Sequence, residues 1–278
     1  IAWFEEHARR SFESGGRVPK SPTEAFVDRN GGRRFQIHVL AYNRPAALAR
    51  LLLSLSRARY DTAQADVQTA CVEGAAPVRS ATVPSVMKRQ CGGAKAFFGA
   101  IDGVDLIIHV DGGRRRSNAT LDTAVAAVWP YGEKHVSVST SNLGLAEAWL
   151  RAWIPPPGCL MEPKTYATIF EDDMEVSPFW FEWLMAAWEA YGRAEFPAQS
   201  SAAAMRLFGI SLQRQTLVPQ KPGESQDREI SSREPYLYRV VGSWGFSPEA
   251  LWWRRFVLWA RRSLARNDDV GLPGLLTT

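Results

Sequence analysis

Residues 35–59 read FQIHVLAYNRPAALARLLLSLSRAR, and this stretch decides the fold. Phe35 to Ala41 is a compact β-prone run following Gly31-Gly32, so it reads as a buried strand. Tyr42-Asn43-Arg44 leaves that strand. Pro45 has no N–H to satisfy and a fixed φ, which suits the first turn of a helix. Through Ala46 to Arg59, Leu48, Leu51, Leu52 and Leu55 recur at helical spacing. The chain therefore opens as strand, polar loop and helix.

The same alternation continues outward. Val104 to Val110 is a second strand, ending at Asp111-Gly112-Gly113. Arg114-Arg115-Arg116 follows as a solvated charge run. Thr120 to Val128 is helical, and His135 to Ser139 is a third strand. Asn142 begins a helix through Glu147, Trp149 and Trp153, stopped by Pro155-Pro156-Pro157. Tyr166 to Phe170 is a fourth strand, ending in Glu171-Asp172-Asp173. Ser177 is the N-cap expected for a helix from Pro178 to Tyr191. Phe208 to Leu212 and Tyr236 to Val241 are further strands, separated by a polar loop. Gly242-Ser243-Trp244-Gly245 turns into a helix from Pro248 to about Ala265. Alternating strands and helices predict an α/β fold, a mostly parallel sheet with helices on both faces. Residues 1–33 read as a polar lead-in, with a short amphipathic helix over Ile1 to Phe12 and a linker over Ser14 to Pro22. Residues 34–278 read as one domain, with an insertion at about 61–99.

Hydrophobic residues are 46% and charged residues 22% of the 278, which places the chain among globular proteins. The net charge of +4 is spread along the sequence. No nucleic-acid footprint is expected, whereas a small polyanion such as a nucleotide diphosphate fits. Cys71, Cys91 and Cys159 form no Cys-x-x-Cys pair. Cys71 and Cys91 either close a loop or remain thiols. No run reaches the roughly 18 apolar residues of a membrane span. The start at Ile1 rather than Met reads as an excised segment, so any membrane anchor or signal is expected outside it. Asn118-Ala119-Thr120 is a glycosylation sequon, which matters only in the secretory pathway.

In open α/β sheets, ligands bind beyond the carboxyl ends of the strands. Three strands end there in polar tips: Tyr42-Asn43-Arg44, Asp111-Gly112 and Glu171-Asp172-Asp173. Three adjacent acids repel one another, and a divalent cation cancels that repulsion. Mg²⁺ or Mn²⁺ prefers carboxylate oxygens together with substrate phosphates. Such an ion can stabilise a leaving diphosphate as a Lewis acid. A competing reading places the acids before Pro178 simply to complement a helix dipole.

The segment IFEDDMEVSPFWFEWL, residues 169–184, resembles the metal-site segment of GT-A glycosyltransferases. It is similar to that of the β-1,2-N-acetylglucosaminyltransferases, a Glu-Asp-Asp variant of the DXD motif. HVLAYNRP resembles that family's first strand and nucleotide loop, and IIHVDGG its second strand. The resemblance spans roughly Phe35 to Leu258. It implies a GT-A fold and a metal-dependent transferase moving a sugar from a nucleotide-diphosphate donor, a UDP-sugar, to a glycan or glycoprotein acceptor with inversion. It implies that Asp173 ligates Mn²⁺ (or Mg²⁺), while Asp172 and Glu171 contact ribose or ligand waters. By the same resemblance, Asp111 would accept a hydrogen bond from uracil. Ala41, Tyr42, Asn43 and Arg44 line the nucleotide, with Arg44 near the diphosphate. Asn142, Leu143 and Gly144 flank the donor. A Golgi or other secretory-lumen location, with a type II anchor outside the segment, follows from the same resemblance; a cytoplasmic location is the alternative.

An inverting transferase needs a carboxylate to deprotonate the acceptor hydroxyl. Asp268 and Asp269 lie about as far past the Gly-Trp loop as the family places that acid. Glu249 is the other candidate, although helix capping explains it. Trp244, in a Gly-flanked loop, is a candidate for stacking on a sugar ring. Trp180, Trp183 and Trp188, at helical spacing, read as mostly core, and His38 and His109 as core or neighbour-satisfied. Two other functions compete. A sugar-phosphate nucleotidyltransferase usually has a Gly-rich basic loop after its first strand, where this chain has Tyr-Asn-Arg-Pro. A catalytically inactive, GT-A-like glycan- or nucleotide-binding protein is the other.

Overall fold

A computed structural model describes residues 34–60, 101, 103–113, 118–155, 165–192, 207–213, 217–218, 228–229 and 242–266. The lead-in over 1–33, the insertion at 61–99, the strand at 236–241, all three cysteines and Asp268-Asp269 lie outside them.

β1 (Arg34–Ala41) sits near the middle of the sheet, and every residue after Arg34 is buried. The strand is covered on both faces, and its polar Gln36 and His38 are buried along with the apolar residues, His38 lying within 3.3 Å of the Gln36 amide oxygen. Helix α1 (Pro45–Ser56) has Pro at its start and buries Leu48, Leu51, Leu52 and Leu55. Those four side chains supply about 1.5–3 kcal/mol each on burial, which anchors the helix more firmly than its intrinsic propensity can.

β2 (Gly103–Val110), α2 (Asn118–Ala126), β3 (Lys134–Val138), α3 (Gly144–Ala152), β4 (Thr165–Glu171) and α4 (Trp180–Tyr191) follow in order. Then come the short strands β5 (Gly209–Ser211), β6 (Leu217–Val218), β7 (Arg228–Glu229) and β8 (Phe246–Pro248), and finally α5 (Ala250–Ala265). The main sheet has six strands in the order β3-β2-β1-β4-β8-β5, and β6 pairs with β7 apart from it. β3, β2, β1 and β4 are mutually parallel. β8 runs antiparallel to both β4 and β5. The sheet is thus mixed but mostly parallel, as the alternation predicts.

Two apolar clusters lie on its opposite faces. One joins Phe35, Ile37, Val39, Leu106, Ile108 and Phe170 to the apolar sides of α1 and α4. The other joins Leu40, Ala167, Ile169 and Phe246 to Leu150 of α3 and to Trp253, Val257 and Ala260 of α5. Helices on both faces are therefore present. The helix layer changes face between β3 and β4, where the strand order also reverses.

Several boundaries differ from expectation. The helix expected from Pro178 begins at Trp180; Ser177 Oγ instead accepts the Phe179 N–H in the preceding turn. The helix expected from Asn142 begins at Gly144. Pro248 ends strand β8 rather than opening a helix. Glu249 caps α5, its carboxylate accepting the Trp252 N–H at 2.8 Å. Trp180 and Trp188 are core, while Trp183 is exposed. The Trp188 indole donates to Ser247 Oγ, which donates in turn to Ala167 O, so the polar edge of a buried Trp is satisfied.

Candidate functional site

Parallel pairing fixes where the polar tips fall. Ala41 is level with Val110, and Leu40 with Glu171. The tips of β1, β2 and β4 therefore share the carboxyl edge of the sheet. β1 and β4 flank the point where the strand order reverses, and that crevice is the usual ligand position in an open α/β sheet.

Arg44 stands at the start of α1 and reaches across the crevice. Its Nη2 lies 2.7 Å from Asp172 Oδ1, and its Nη1 donates to Asp173 Oδ2 at 2.5 Å. The Tyr42 N–H donates to Asp172 Oδ2 at 3.3 Å, tying the β1 loop to the β4 tip. Asp172 is 1% exposed and Asp173 46%. The Arg44 contact with Asp172 Oδ1 is close but poorly aligned, so that buried oxygen has a charge partner and no hydrogen-bond donor aimed at it. Glu171 accepts from the Trp149 indole of α3 at 3.4 Å.

The acids carry an electrostatic cost. Burial pushes the Asp172 carboxyl up, the nearby Asp173 adds to this, and Arg44 and the Tyr42 N–H oppose it. Burial likewise raises Glu171, against the Trp149 hydrogen bond, with Asp173 and Asp172 adding repulsion and Arg44 opposing it. Among the described residues, three carboxylates thus share one guanidinium. Hard oxygen donors at such a place suit Mg²⁺ or Mn²⁺. Among the described residues, no three His, Cys, Asp or Glu side chains converge as a ready-made cage. The tip fits an ion held by one or two carboxylates and completed by water or substrate phosphates.

The second tip behaves differently. Asp111 Oδ1 accepts the N–H groups of Gly112 and Leu143, both at 2.8 Å, and Oδ2 accepts that of Gly144 at 3.2 Å. Asn142 Oδ1 also accepts the Gly144 N–H. Asp111 therefore holds the start of α3, a role that sequence reasoning missed. Of its roughly four acceptor directions, about one is left for a ligand. Gly112 is required here, because a Cβ would lie 2.3 Å from Ser139 O.

Antiparallel pairing of Ile169 with Phe246 sets Trp244 two residues further out, level with Glu171. Trp244 is 58% exposed. Gly245 makes the turn possible at φ 77°, and a Cβ there would press on the Phe170 ring. Ala41, Tyr42, Asn43, Arg44, Asp111, Asn142, Leu143, Gly144, Glu171, Asp172, Asp173 and Trp244 thus lie along one edge of the sheet. Neither a protein-family model nor a curated protein matches the chain.

Proposed function

We propose that the chain is a metal-dependent glycosyltransferase of the GT-A type, moving a sugar from a UDP-sugar to a hydroxyl of a glycan or glycoprotein. The observation that carries this reading is Arg44 bridging Asp172 and Asp173 at the reversal point between β1 and β4. A cationic side chain and an acid cluster short of cations together match a metal–diphosphate ligand, which brings both charges.

In this reading Ala41 to Arg44 and Asn142 to Gly144 flank the nucleotide. Asp111 offers its remaining acceptor direction to the uracil imide. Asp173 would hold Mn²⁺ or Mg²⁺, which when bound supplies Lewis-acid stabilisation of the departing diphosphate. Arg44, half exposed and on a long side chain, turns from Asp173 toward the diphosphate oxygens, where a planar fork of donors binds well. Asp172 keeps its hold on the Tyr42 N–H and fixes the loop. Trp244 offers an aromatic face to a sugar ring. As the bond from sugar to diphosphate breaks, the acceptor oxygen bonds to the sugar carbon, and its proton passes to a carboxylate, for which Asp268 or Asp269 is proposed. The linkage of an inverting enzyme and a secretory-lumen location belong to the same proposal.

Release of UDP from a panel of UDP-sugars, with Mn²⁺ or with EDTA, tests it, N-acetylglucosamine being the first donor to try. Turnover that needs the metal and is lost in Asp173→Ala supports the reading. Release that ignores both counts against it.

One observation favours a second reading. Arg44 already partners two of the three acids, so the tip can persist without an ion. A non-catalytic nucleotide- or glycan-binding protein would have that property. Saturable UDP-sugar binding with no release from any donor selects it.

A further inference from the structure

We infer that the outward face of α5 docks on an anionic lipid bilayer. The inference is independent of the sugar-transfer reading, since it uses none of the residues at the sheet's carboxyl edge.

From Ala250 to Arg266 the chain has five arginines and no aspartate or glutamate. At least two of the five secure the helix to its neighbours. Arg254 Nη1 donates to Pro155 O at 2.7 Å, and Arg261 Nη2 to Leu150 O at 3.4 Å. The inward stripe is Ala250, Trp253, Val257 and Ala260, all buried. At 100° per residue, Trp252, Arg255, Trp259, Arg262 and Arg266 fall on the opposite side.

Packing accounts for that side only in part: Trp259 meets the Phe256 ring of the same helix at 5.9 Å between centroids, and Arg262 is half-buried. Trp253 is 2% exposed and already supplies the helix's aromatic contact with the core. Trp252 and Trp259 are 38% and 46% exposed. The Arg255 guanidinium lies over the Trp252 ring, 4.8 Å from its centroid, which pairs a cation with an apolar plate at one spot. Exposed Trp interleaved with Arg on one helical face is the composition that settles at a bilayer interface, indole among the acyl boundary and guanidinium among the phosphates. Glu249 caps the helix and Asp268-Asp269 follow Arg266, so residues 249–269 carry five arginines against three acids; the segment stays net positive, and the complementary surface is anionic. The described helices include none long and apolar enough to cross a membrane, so the contact is peripheral.

Flotation of the full chain with vesicles tests this. Vesicles of phosphatidylcholine containing phosphatidylserine are expected to carry the protein, and phosphatidylcholine alone to leave it behind. Each basic residue near an anionic surface contributes about fivefold to partitioning, so Arg255→Gln with Arg266→Gln should lower binding by roughly tenfold or more. Trp252→Ala with Trp259→Ala should also lower it, and should do so at high salt, where the charge contribution is screened. Unchanged far-UV circular dichroism and urea midpoints show that the variants are folded. The proposal is overturned if flotation ignores phosphatidylserine, or if both variant pairs float like the parent protein. Arginine-dependent retention of RNA without vesicle binding would reassign the face to nucleic acid. Concentration-dependent self-association lost in the Trp variants, with no flotation, would reassign it to a second copy. Either result overturns the bilayer reading.

Discussion

Arg34 opens β1 and Arg44 lies just past its end; the first meets aspartate on the neighbouring strand β2, the second at the tip that follows β4. At the amino end, the Arg34 guanidinium engages Asp105 through Nε at 2.7 Å and through Nη2, and the Glu133 N–H completes the set. Both oxygens of that fully buried anion meet aligned donors. At the carboxyl end, one cation serves Asp172 and Asp173 with Glu171 close by, and a buried oxygen of Asp172 has no aligned donor. The first pair is a closed structural bond. Among the described residues the second has anionic charge left over, and a metal–diphosphate ligand, as proposed, would meet that surplus.

Breaking the closed pair should have the largest effect. Asp105→Ala removes the acceptor of the Arg34 guanidinium and of the Glu133 N–H and should cost about 3–5 kcal/mol, read as a shift in urea midpoint. Nucleotide binding per folded molecule should not change. A loss below about 1 kcal/mol would remove the contrast.

Acid probes the middle of the same strands. His38 Nδ1 and His109 Nε2 are 3.0 Å apart between β1 and β2, and His38 Nε2 is 3.3 Å from the Gln36 amide oxygen. Burial lowers both imidazoles, with His109 further lowering His38, and His109 falls from 6.5 to about 4. The unfolded chain therefore binds protons that the folded chain refuses. Stability present above about pH 6.5 should be lost as pH falls toward 4, by on the order of 3 kcal/mol for His109. A urea midpoint flat between those values would contradict the neutral pair.

At the carboxyl end, Gly112→Ala forces a methyl against Ser139 O and should cost about 1–3 kcal/mol. It should also weaken nucleotide binding, because Asp111 and the start of α3 move with it. Equal binding in a folded variant would detach the second tip from the site.

Arg44→Gln should have the smallest effect on stability, about 1 kcal/mol or less, because the guanidinium is half exposed. Its effect on donor affinity should be large, roughly tenfold or more, as expected for a charged group that contacts phosphate. A large stability loss with unchanged affinity would make Arg44 the counterpart of Arg34 and end the distinction.

Much of the fold was legible because β1, β2 and β4 are short β-prone runs, mostly apolar, that are buried on both faces. The leucine spacing of α1 was equally plain. The antiparallel strand β8 was not, since Phe246-Ser247-Pro248 is too short to show a period and Pro248 mimics a helix start. Ser177 and Pro178 carry the signals of a helix N-terminus, yet tertiary packing delays α4 to Trp180. In the site, the acidic tip was legible as a charge problem. Its partner was not, because Arg44 is 128 residues from Asp172 in the chain and only the pairing of β1 with β4 joins them. Asp111 was legible as a polar tip, but its duty to α3 depends on backbone N–H groups that sequence does not display. Asp105, a charge inside an otherwise apolar strand, was the one unread signal of the closed pair.

The most direct measurement is a thermal melt with Mn²⁺, with UDP and with both, for the parent protein and Asp173→Ala. A ligand that binds only the folded state raises the melting temperature by mass action. A clear rise is expected when Mn²⁺ and UDP are present together, little with either alone, and no joint rise in Asp173→Ala. An equal rise in the variant, or a UDP response that persists in EDTA, would contradict it.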